Sequence, residues 1–138
     1  MKHGLSKDEA TMADSPKNLY FYTMVKTKNF KANGRIWIDG KEGAFLGYGR
    51  VELLEKIHEL GSIRQAAQAM KMSYRQAWEF VKQMNEQTED PLVLMNVGGK
   101  GGGQTQLTEA GLRAIEAFKS FNTAFQKFLD SYSEQLHF

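Results

Sequence analysis

The sequence contains no cysteine and only two prolines among its 138 residues. Without cysteine the chain can form neither a disulfide nor a thiolate metal site. It also lacks any apolar run near the roughly 18 residues that a membrane-spanning helix needs, and its N-terminus lacks the apolar stretch of a secretion signal. These absences predict a cytoplasmic protein with no membrane partner, and the length fits one domain with one added segment.

The charge is informative in its distribution and not in its total. A net charge of +2 is too small to indicate a nucleic-acid partner. Between positions 62 and 82, however, a single acid, Glu79, stands among four basic residues, namely Arg64, Lys71, Arg75 and Lys82. Basic residues on helices often form no more than a solvated face, so this surplus needs a structural context before it indicates DNA.

The stretch from Ser62 to Asn85 has the pattern of two short helices joined by a tight corner. Ser62 and Ser73 each stand three residues before a glutamine, which is the spacing of a helix-capping box. Apolar residues recur at helical spacing in both segments, and the paired alanines permit a close helix crossing: Ile63, Ala66, Ala67 and Met70, then Ala77, Val81 and Met84. The pattern predicts a helix-turn-helix whose second helix, beginning at Tyr74, is free to enter a DNA major groove.

The preceding segments predict a hairpin and a further helix. Residues 35–46 favour a β-hairpin with its turn at Asp39–Gly40. The helix that follows runs from Arg50 to Leu60 and ends at Gly61. Its inward residues are predicted to be Val51, Leu53, Leu54, Ile57 and Leu60.

A glycine-rich loop lies between two short predicted strands, residues 92–95 and 104–107. This loop, residues 98–103, holds Lys100 among glycines, and its bare backbone N–H groups suit contact with DNA phosphates. Three helices, a strand, a glycine loop and a strand are the order of a winged helix-turn-helix. The predicted fold class is therefore mainly α with small β elements: a winged helix-turn-helix with an N-terminal β-hairpin and a long C-terminal dimerisation helix.

The last segment, residues 108–138, predicts a long helix that begins after Thr108 and carries an aromatic residue at every third or fourth position. This spacing forms a seam, and a second copy of the chain is its simplest partner. We therefore predict a homodimer through Phe118, Phe121, Phe125, Phe128 and Tyr132. The alternative is that the stripe packs only on the chain's own hairpin. Residues 1–28 are an N-terminal appendage of uncertain structure, and residues 29–107 form the predicted DNA-binding domain.

The sequence offers little for catalysis. The glycine loop lacks the spacing of a nucleotide-binding loop, because no glycine stands four residues before the Gly99–Lys100 pair and no serine or threonine follows it. The three histidines, His3, His58 and His137, have no serine or aspartate at a spacing that would form a relay. We predict that the chain is not an enzyme and has no catalytic and no metal-binding residues.

The outward residues of the second helix are the candidate DNA contacts. Arg75 suits a bidentate contact with guanine, whereas Ser73 and Tyr74 at the helix start reach phosphates. Trp78 either covers the rim of the core or touches a thymine methyl group or a sugar. The remaining predicted DNA-binding residues come from both helices and the wing: Arg64, Gln76, Lys82, Lys100, Gly101 and Gly102.

These residues resemble the N-terminal DNA-binding domain of the molybdate-dependent regulator family ModE, a winged helix related to that of LysR-type regulators. The resemblance covers about residues 35–128. Its most specific part is Ser73-Tyr74-Arg75-x-Ala77-Trp78 combined with the glycine wing, and it is also carried by Gly34-Arg35-Ile36-Trp37-Ile38, Phe45-Leu46-Gly47, Gly61-Ser62-Ile63, Met84-Asn85 and Leu107-Thr108. The resemblance implies a homodimer that binds palindromic operator DNA through recognition helix and wing, with the long helix joining the subunits.

The sequence departs from the family in one respect. Full-length ModE proteins continue into molybdate-binding modules, whereas this sequence stops at Phe138. We therefore expect a nucleoid-associated regulator that binds double-stranded DNA and takes no cofactor. A separate sensor protein can be its partner. The alternative is a winged-helix module that binds protein, for which basic groups such as Arg75 and Lys100 on both helix and wing would not be needed.

Overall fold

The computed structural model describes residues 30–95 and 104–138. The chain divides into two compact units, of which the larger spans Arg35–Thr123. The described part of the smaller unit comprises residues 30–34 and 124–138. The predictions for the appendage, residues 1–28, and for the wing residues Lys100, Gly101 and Gly102 lie outside the described residues.

The larger unit contains the predicted order of elements. Four helices and two strand pairs follow one another along the described chain: β1 Ile38–Gly40, β2 Gly43–Leu46, α1 Tyr48–Leu60, α2 Ile63–Ala69, α3 Tyr74–Glu86, β3 Val93–Met95, β4 Thr105–Leu107 and α4 Glu109–Ser133. The last helix extends from the larger unit into the smaller one. Both strand pairs are antiparallel, and the predicted fold class, a mainly helical winged helix-turn-helix with a β-hairpin, is confirmed.

The hairpin forms, but the prediction of its turn was wrong. Gly40 pairs with Gly43, so the turn lies at residues 41–42 and not at Asp39–Gly40. Asp39 instead joins the ladder opposite Ala44, and the register shifts by a bulge before it. The positive φ that the chain needs here is supplied after the turn, by Gly43 at 112°, and not by Gly40.

The core is formed where α1, α2 and α3 meet the second strand pair. Its largest fully buried side chains are Leu53, Leu54, Ile57, Val81, Met84 and Val93. Leu60, predicted to face inward, is 38% exposed. It is the last residue of α1, and the chain leaves that helix directly afterwards through Gly61 in the left-handed conformation, with φ 68°.

The start of α4 packs tightly against the second strand pair. Thr108 Oγ1 accepts a hydrogen bond from Gly111 N at 3.0 Å, and the Thr108 side chain also donates to Pro91 O at 2.7 Å. A methyl group placed on Gly111 would overlap the carbonyl oxygen of Leu92 and the side chain of Leu107. The predicted N-cap at Thr108 is therefore confirmed, and the helix approaches the strands closely at Gly111.

The aromatic residues of α4 differ in their surroundings. Phe118 is 3% exposed, and its ring meets that of Tyr48 edge to face at 5.2 Å. Phe118 therefore belongs to the core of the larger unit, which removes it from the predicted dimer seam. In the same unit Phe121 is 44% exposed, so its ring remains accessible.

In the smaller unit, the end of α4 lies beside residues 30–34. Ala32 N donates to Ser133 Oγ at 2.7 Å, and the Phe125 ring lies so close to Gly34 that an added Cβ would be 2.9 Å from it. Phe125 is therefore partly covered by its own chain. Phe128 and Tyr132 stack on each other with ring centroids 6.0 Å apart, and they are 60% and 48% exposed.

We predict that Gly111→Ala destabilises the fold even though alanine is the better helix former. The methyl group overlaps a backbone oxygen that cannot move freely, and overpacking of this kind costs about 1–3 kcal/mol. Gly49→Ala is the matched control, because Gly49 lies in α1 with open space around its Cα. That substitution should be neutral or stabilising by up to about 1 kcal/mol.

Urea unfolding of both variants measures the difference. A Gly111→Ala protein at least as stable as the unsubstituted chain would show that α4 does not approach the strands so closely.

Candidate nucleic-acid interface

The two helices of the predicted helix-turn-helix are capped by their serines. Ser62 Oγ accepts from Gln65 N at 3.1 Å, and Ser73 Oγ accepts from Gln76 N at 3.0 Å. The serine half of each predicted capping box is thus confirmed. Among the described residues, neither glutamine side chain forms a hydrogen bond with the N–H of its serine, and both glutamines are exposed to water. Each serine hydroxyl keeps its own hydrogen, which is free for a further acceptor.

The corner between α2 and α3 is held by backbone hydrogen bonds. Met72 N donates to Ala67 O at 3.0 Å and Lys71 N to Gln68 O at 3.1 Å. This pair of bonds is a Schellman motif, in which the residue after the C-cap adopts the left-handed conformation. That residue is Lys71, with φ 58°. The motif reverses the chain sharply and so sets the direction in which α3 begins.

The recognition helix α3 has one buried face and one free face. Ala77, Val81 and Met84 are fully buried, as predicted. The residues predicted to contact DNA lie on the exposed side: Ser73, Tyr74, Arg75, Gln76, Trp78 and Lys82. Trp78 is 38% exposed, so part of its ring is accessible to a ligand. This part of the predicted set is therefore accessible to a ligand.

An arginine of α2 lies over the first residue of the recognition helix. The guanidinium carbon of Arg64 is 4.3 Å from the centroid of the Tyr74 ring. Stacking uses the face of the guanidinium and leaves its N–H groups, which lie in the plane, available to an anion. Arg64 is exposed. The contact therefore orders a cation at the junction of the two helices.

The basic residues of the interface are unequally neutralised. Lys82 lies 3.8 Å from Glu86 one helical turn away, and both side chains are exposed. Such pairs are weak, yet Glu86 still lowers the positive potential at that end of α3. Arg75 and Arg64 form no ion pair among the described residues. Within α3, the basic residue without an ion pair in the described part of the chain, Arg75, therefore lies in the first turn of the helix.

Arg50 positions the recognition helix and escaped the sequence predictions. Its guanidinium donates to Ala44 O at 2.9 Å and to Gln83 Oε1 at 2.6 Å, and it lies 4.7 Å from the Phe80 ring centroid. Burial lowers the pKa of Arg50, but a guanidinium stays charged at any physiological pH. Arg50 thus ties the hairpin and α1 to α3. Its partners are far apart in sequence, so no local pattern could have identified it.

Asn85 has a corresponding role at the other end of α3. Its Oδ1 accepts from Leu92 N at 2.8 Å and from Val93 N at 3.2 Å, and its Nδ2 donates to Val93 O at 2.9 Å. One side chain therefore satisfies three backbone groups at the start of β3. It holds the strand pair that leads into residues 96–103 against the recognition helix.

Comparison with known proteins agrees with this geometry. Residues 49–112 match the family of bacterial regulatory helix-turn-helix proteins of the LysR type. Over 103 residues the chain is 38% identical to the molybdenum transport protein ModE of Azotobacter vinelandii. Over 85 residues it is 39% identical to the DNA-binding transcriptional dual regulator ModE of Escherichia coli. The chain contains a ModE-family DNA-binding domain.

The ModE-family relatives are longer than this chain. The aligned part covers 75% of this chain but 38% of the Azotobacter protein, and 62% of this chain but 32% of the Escherichia coli protein. A molybdenum-pterin-binding protein, MopB of Rhodobacter capsulatus, is 38% identical over 70% of this chain and 36% of its own length. The similarity therefore concerns the DNA-binding domain.

None of the helices in the described part of this chain combines the length and the apolar character that crossing a bilayer requires.

We predict that Arg75→Ala in the ModE-family domain reduces sequence discrimination more than general affinity. Loss of a bidentate base contact should cost about 1–3 kcal/mol on the preferred duplex and little on random DNA. Arg113→Ala, which removes the same side chain from α4, is the control and should leave the ratio of the two affinities unchanged. Fluorescence anisotropy with both duplexes gives the ratio. Equal losses on both duplexes would assign Arg75 to a phosphate instead.

Proposed function

We propose that this chain is a transcriptional regulator that binds palindromic operator DNA as a homodimer. The observation that carries the proposal is the free face of α3, where Tyr74, Arg75, Gln76 and Trp78 are all exposed on a helix whose other face is fully buried. In helix-turn-helix proteins the first residues of this helix contact base edges in the major groove. A regulator of this kind acts on the nucleoid, by binding and not by catalysis.

The exposed residues divide into two classes of DNA contact. Arg75 projects from the first turn of α3, where a bidentate contact with guanine is sterically available. Arg64, Ser73 and Tyr74 lie at the junction of the helices, where contacts with phosphate fix the register of the protein. Lys100 and the neighbouring glycines of the wing would add phosphate contacts along the backbone.

The exposed aromatic residues of α4 support self-association. Phe128 and Tyr132 form a stacked pair that is about half accessible, and Phe121 is 44% exposed. Single exposed apolar residues are common, but three large rings on one helix are better explained by a partner. A two-fold contact between identical helices is closed and self-complementary. It would present two recognition helices to the half-sites of a palindrome.

The decisive experiment is selection of bound sequences from random duplex DNA, combined with sedimentation of the free protein. A palindromic consensus together with a dimer supports the proposal. Selection of a single half-site by a monomer would contradict the homodimer. Absence of any selected sequence would contradict the regulator and favour the alternative of a protein-binding winged helix.

We predict that Phe128→Glu produces a monomer that remains folded. The ring is 60% exposed, so its loss costs the single chain little, whereas a two-fold contact would bring two carboxylates together. Loss of the second recognition helix should weaken binding to a palindrome by about 100-fold or more. Sedimentation and circular dichroism measure the two properties.

The control for this prediction is Trp37→Glu. Trp37 is 62% exposed but belongs to the hairpin segment of the larger unit, so the same change of charge there should leave the dimer intact. If the Phe128→Glu protein sediments as a dimer, the aromatic residues of α4 do not join the subunits.

We further propose that residues 1–138 take no cofactor and that a separate sensor protein supplies any response to a ligand. An oxyanion such as molybdate needs several convergent donors. Among the described residues, the exposed cations Arg64 and Arg75 lie on the helix-turn-helix, where in the proposed complex they also face DNA. An anion held there would compete with phosphate and would not act from a second site.

Molybdate should therefore affect DNA binding no more than sulfate at equal concentration and ionic strength. Both are divalent oxyanions, so competition for the basic face predicts similar millimolar effects for both. Calorimetric titration of the free protein and anisotropy of the complex provide the comparison. A micromolar effect of molybdate that sulfate does not reproduce would show a dedicated site within the chain.

A further inference from the structure

Lys71 occupies a backbone position that favours glycine. Its φ of 58° places it in the left-handed region, and it is the only residue other than glycine with a positive φ in the described part of the chain. A side chain strains this conformation, because the Cβ approaches the following carbonyl oxygen. Helices commonly end with glycine at this position of a Schellman motif for that reason.

The corner of the helix-turn-helix imposes this conformation on Lys71. Met72 N donates to Ala67 O and Lys71 N to Gln68 O, at 3.0 and 3.1 Å. Ser73, which follows Met72, caps α3 by accepting a hydrogen bond from Gln76 N. A different φ at Lys71 would break these bonds and change the direction of the recognition helix. The chain therefore retains a strained lysine at a position where glycine would preserve the same backbone.

Nothing in the described part of the fold compensates for the strain. The Lys71 side chain is exposed and forms no hydrogen bond or ion pair among the described residues. It stands two residues before the N-cap of α3, between the helix that crosses the DNA backbone and the helix that enters the groove. Arg75 is exposed at the start of α3, and Arg64 of α2 lies over the Tyr74 ring. The ammonium group of Lys71 extends this positive surface onto the corner.

We propose that Lys71 is a DNA-binding residue, a phosphate contact held at the corner of the helix-turn-helix at the expense of fold stability. The proposal rests on the proposed function, since it requires that α3 enters a groove. Lysine provides a point charge without base specificity. Lys71 therefore adds affinity for any duplex and orients the corner on the backbone, while Arg75 distinguishes sequences.

The experiment compares three variants of the full chain at this position. Lys71→Gly removes both the strain and the charge. Lys71→Asn removes the charge but keeps a residue that tolerates the left-handed conformation, and Lys71→Arg keeps the charge. Lys56→Gln, on α1 outside the helix-turn-helix, is the control for a general loss of one positive charge.

Stability and DNA binding should change in opposite directions in Lys71→Gly. Relief of the left-handed strain outweighs the greater chain entropy of glycine, so the unfolding equilibrium constant in urea titrations should fall roughly twofold to fivefold. In the proposed homodimer each subunit loses one phosphate contact, so the dependence of log affinity on log salt becomes shallower by about 1.8, which corresponds to about 60-fold weaker binding at 0.1 M salt and little change near 1 M. Preferred and random duplexes should be affected alike.

The other variants separate the two effects. Lys71→Asn should reproduce the loss of salt dependence, whereas Lys71→Arg and Lys56→Gln should retain the original slope. If the unsubstituted chain binds duplex DNA and both Lys71→Gly and Lys71→Asn keep its salt slope, Lys71 is not a contact, although the proposed function stands. A Lys71→Gly protein no more stable than the parent overturns the premise of strain. Failure of the unsubstituted chain to bind any duplex refutes the proposed function itself.

Discussion

The close packing of α2 between its neighbours is the constraint on which the rest of the domain depends. Ala66 and Ala67 are 0% and 1% exposed, so the middle of α2 presents only methyl groups to its neighbours. Larger residues would separate the helices and tilt α3. With α2 so close, its C-terminus must reverse within a few residues, and the Schellman motif at Lys71 is the backbone solution to that requirement.

The recognition helix is then fixed at three points that have different physical origins. Its N-terminus is set by the backbone of the corner and by the Ser73 cap. Its middle is held by Arg50, which joins α3 to the hairpin through two hydrogen bonds and an aromatic contact. Its C-terminal end is joined by Asn85 to the strand pair. The buried face supplies most of the free energy, while these polar contacts determine the orientation of the exposed face.

Residues whose burial follows the local helical period were predicted correctly, whereas features set by strand pairing or by distant contacts were not. The buried and exposed faces of α3 follow from a period of 3.6 residues, so Ala77, Val81 and Met84 were correctly assigned. The hairpin turn was misplaced because Asp39–Gly40 is a favourable turn sequence, whereas the observed pairing uses the freedom of Gly43 after the turn. Phe118 was grouped with the other aromatic residues of α4 by spacing alone, although Tyr48, far away in sequence, covers it.

Local sequence patterns were sufficient to predict the helices, their serine caps and the exposed face of α3, because each depends on residues within one or two helical turns of each other. Tertiary packing, by contrast, shows which exposed candidates are ordered, as in the Arg64–Tyr74 contact, and which residues position the helix, as with Arg50. It also revealed the left-handed conformation of Lys71. That conformation results from the packing of α2 against its neighbours and leaves no mark in the local sequence, since the residue most expected there is glycine.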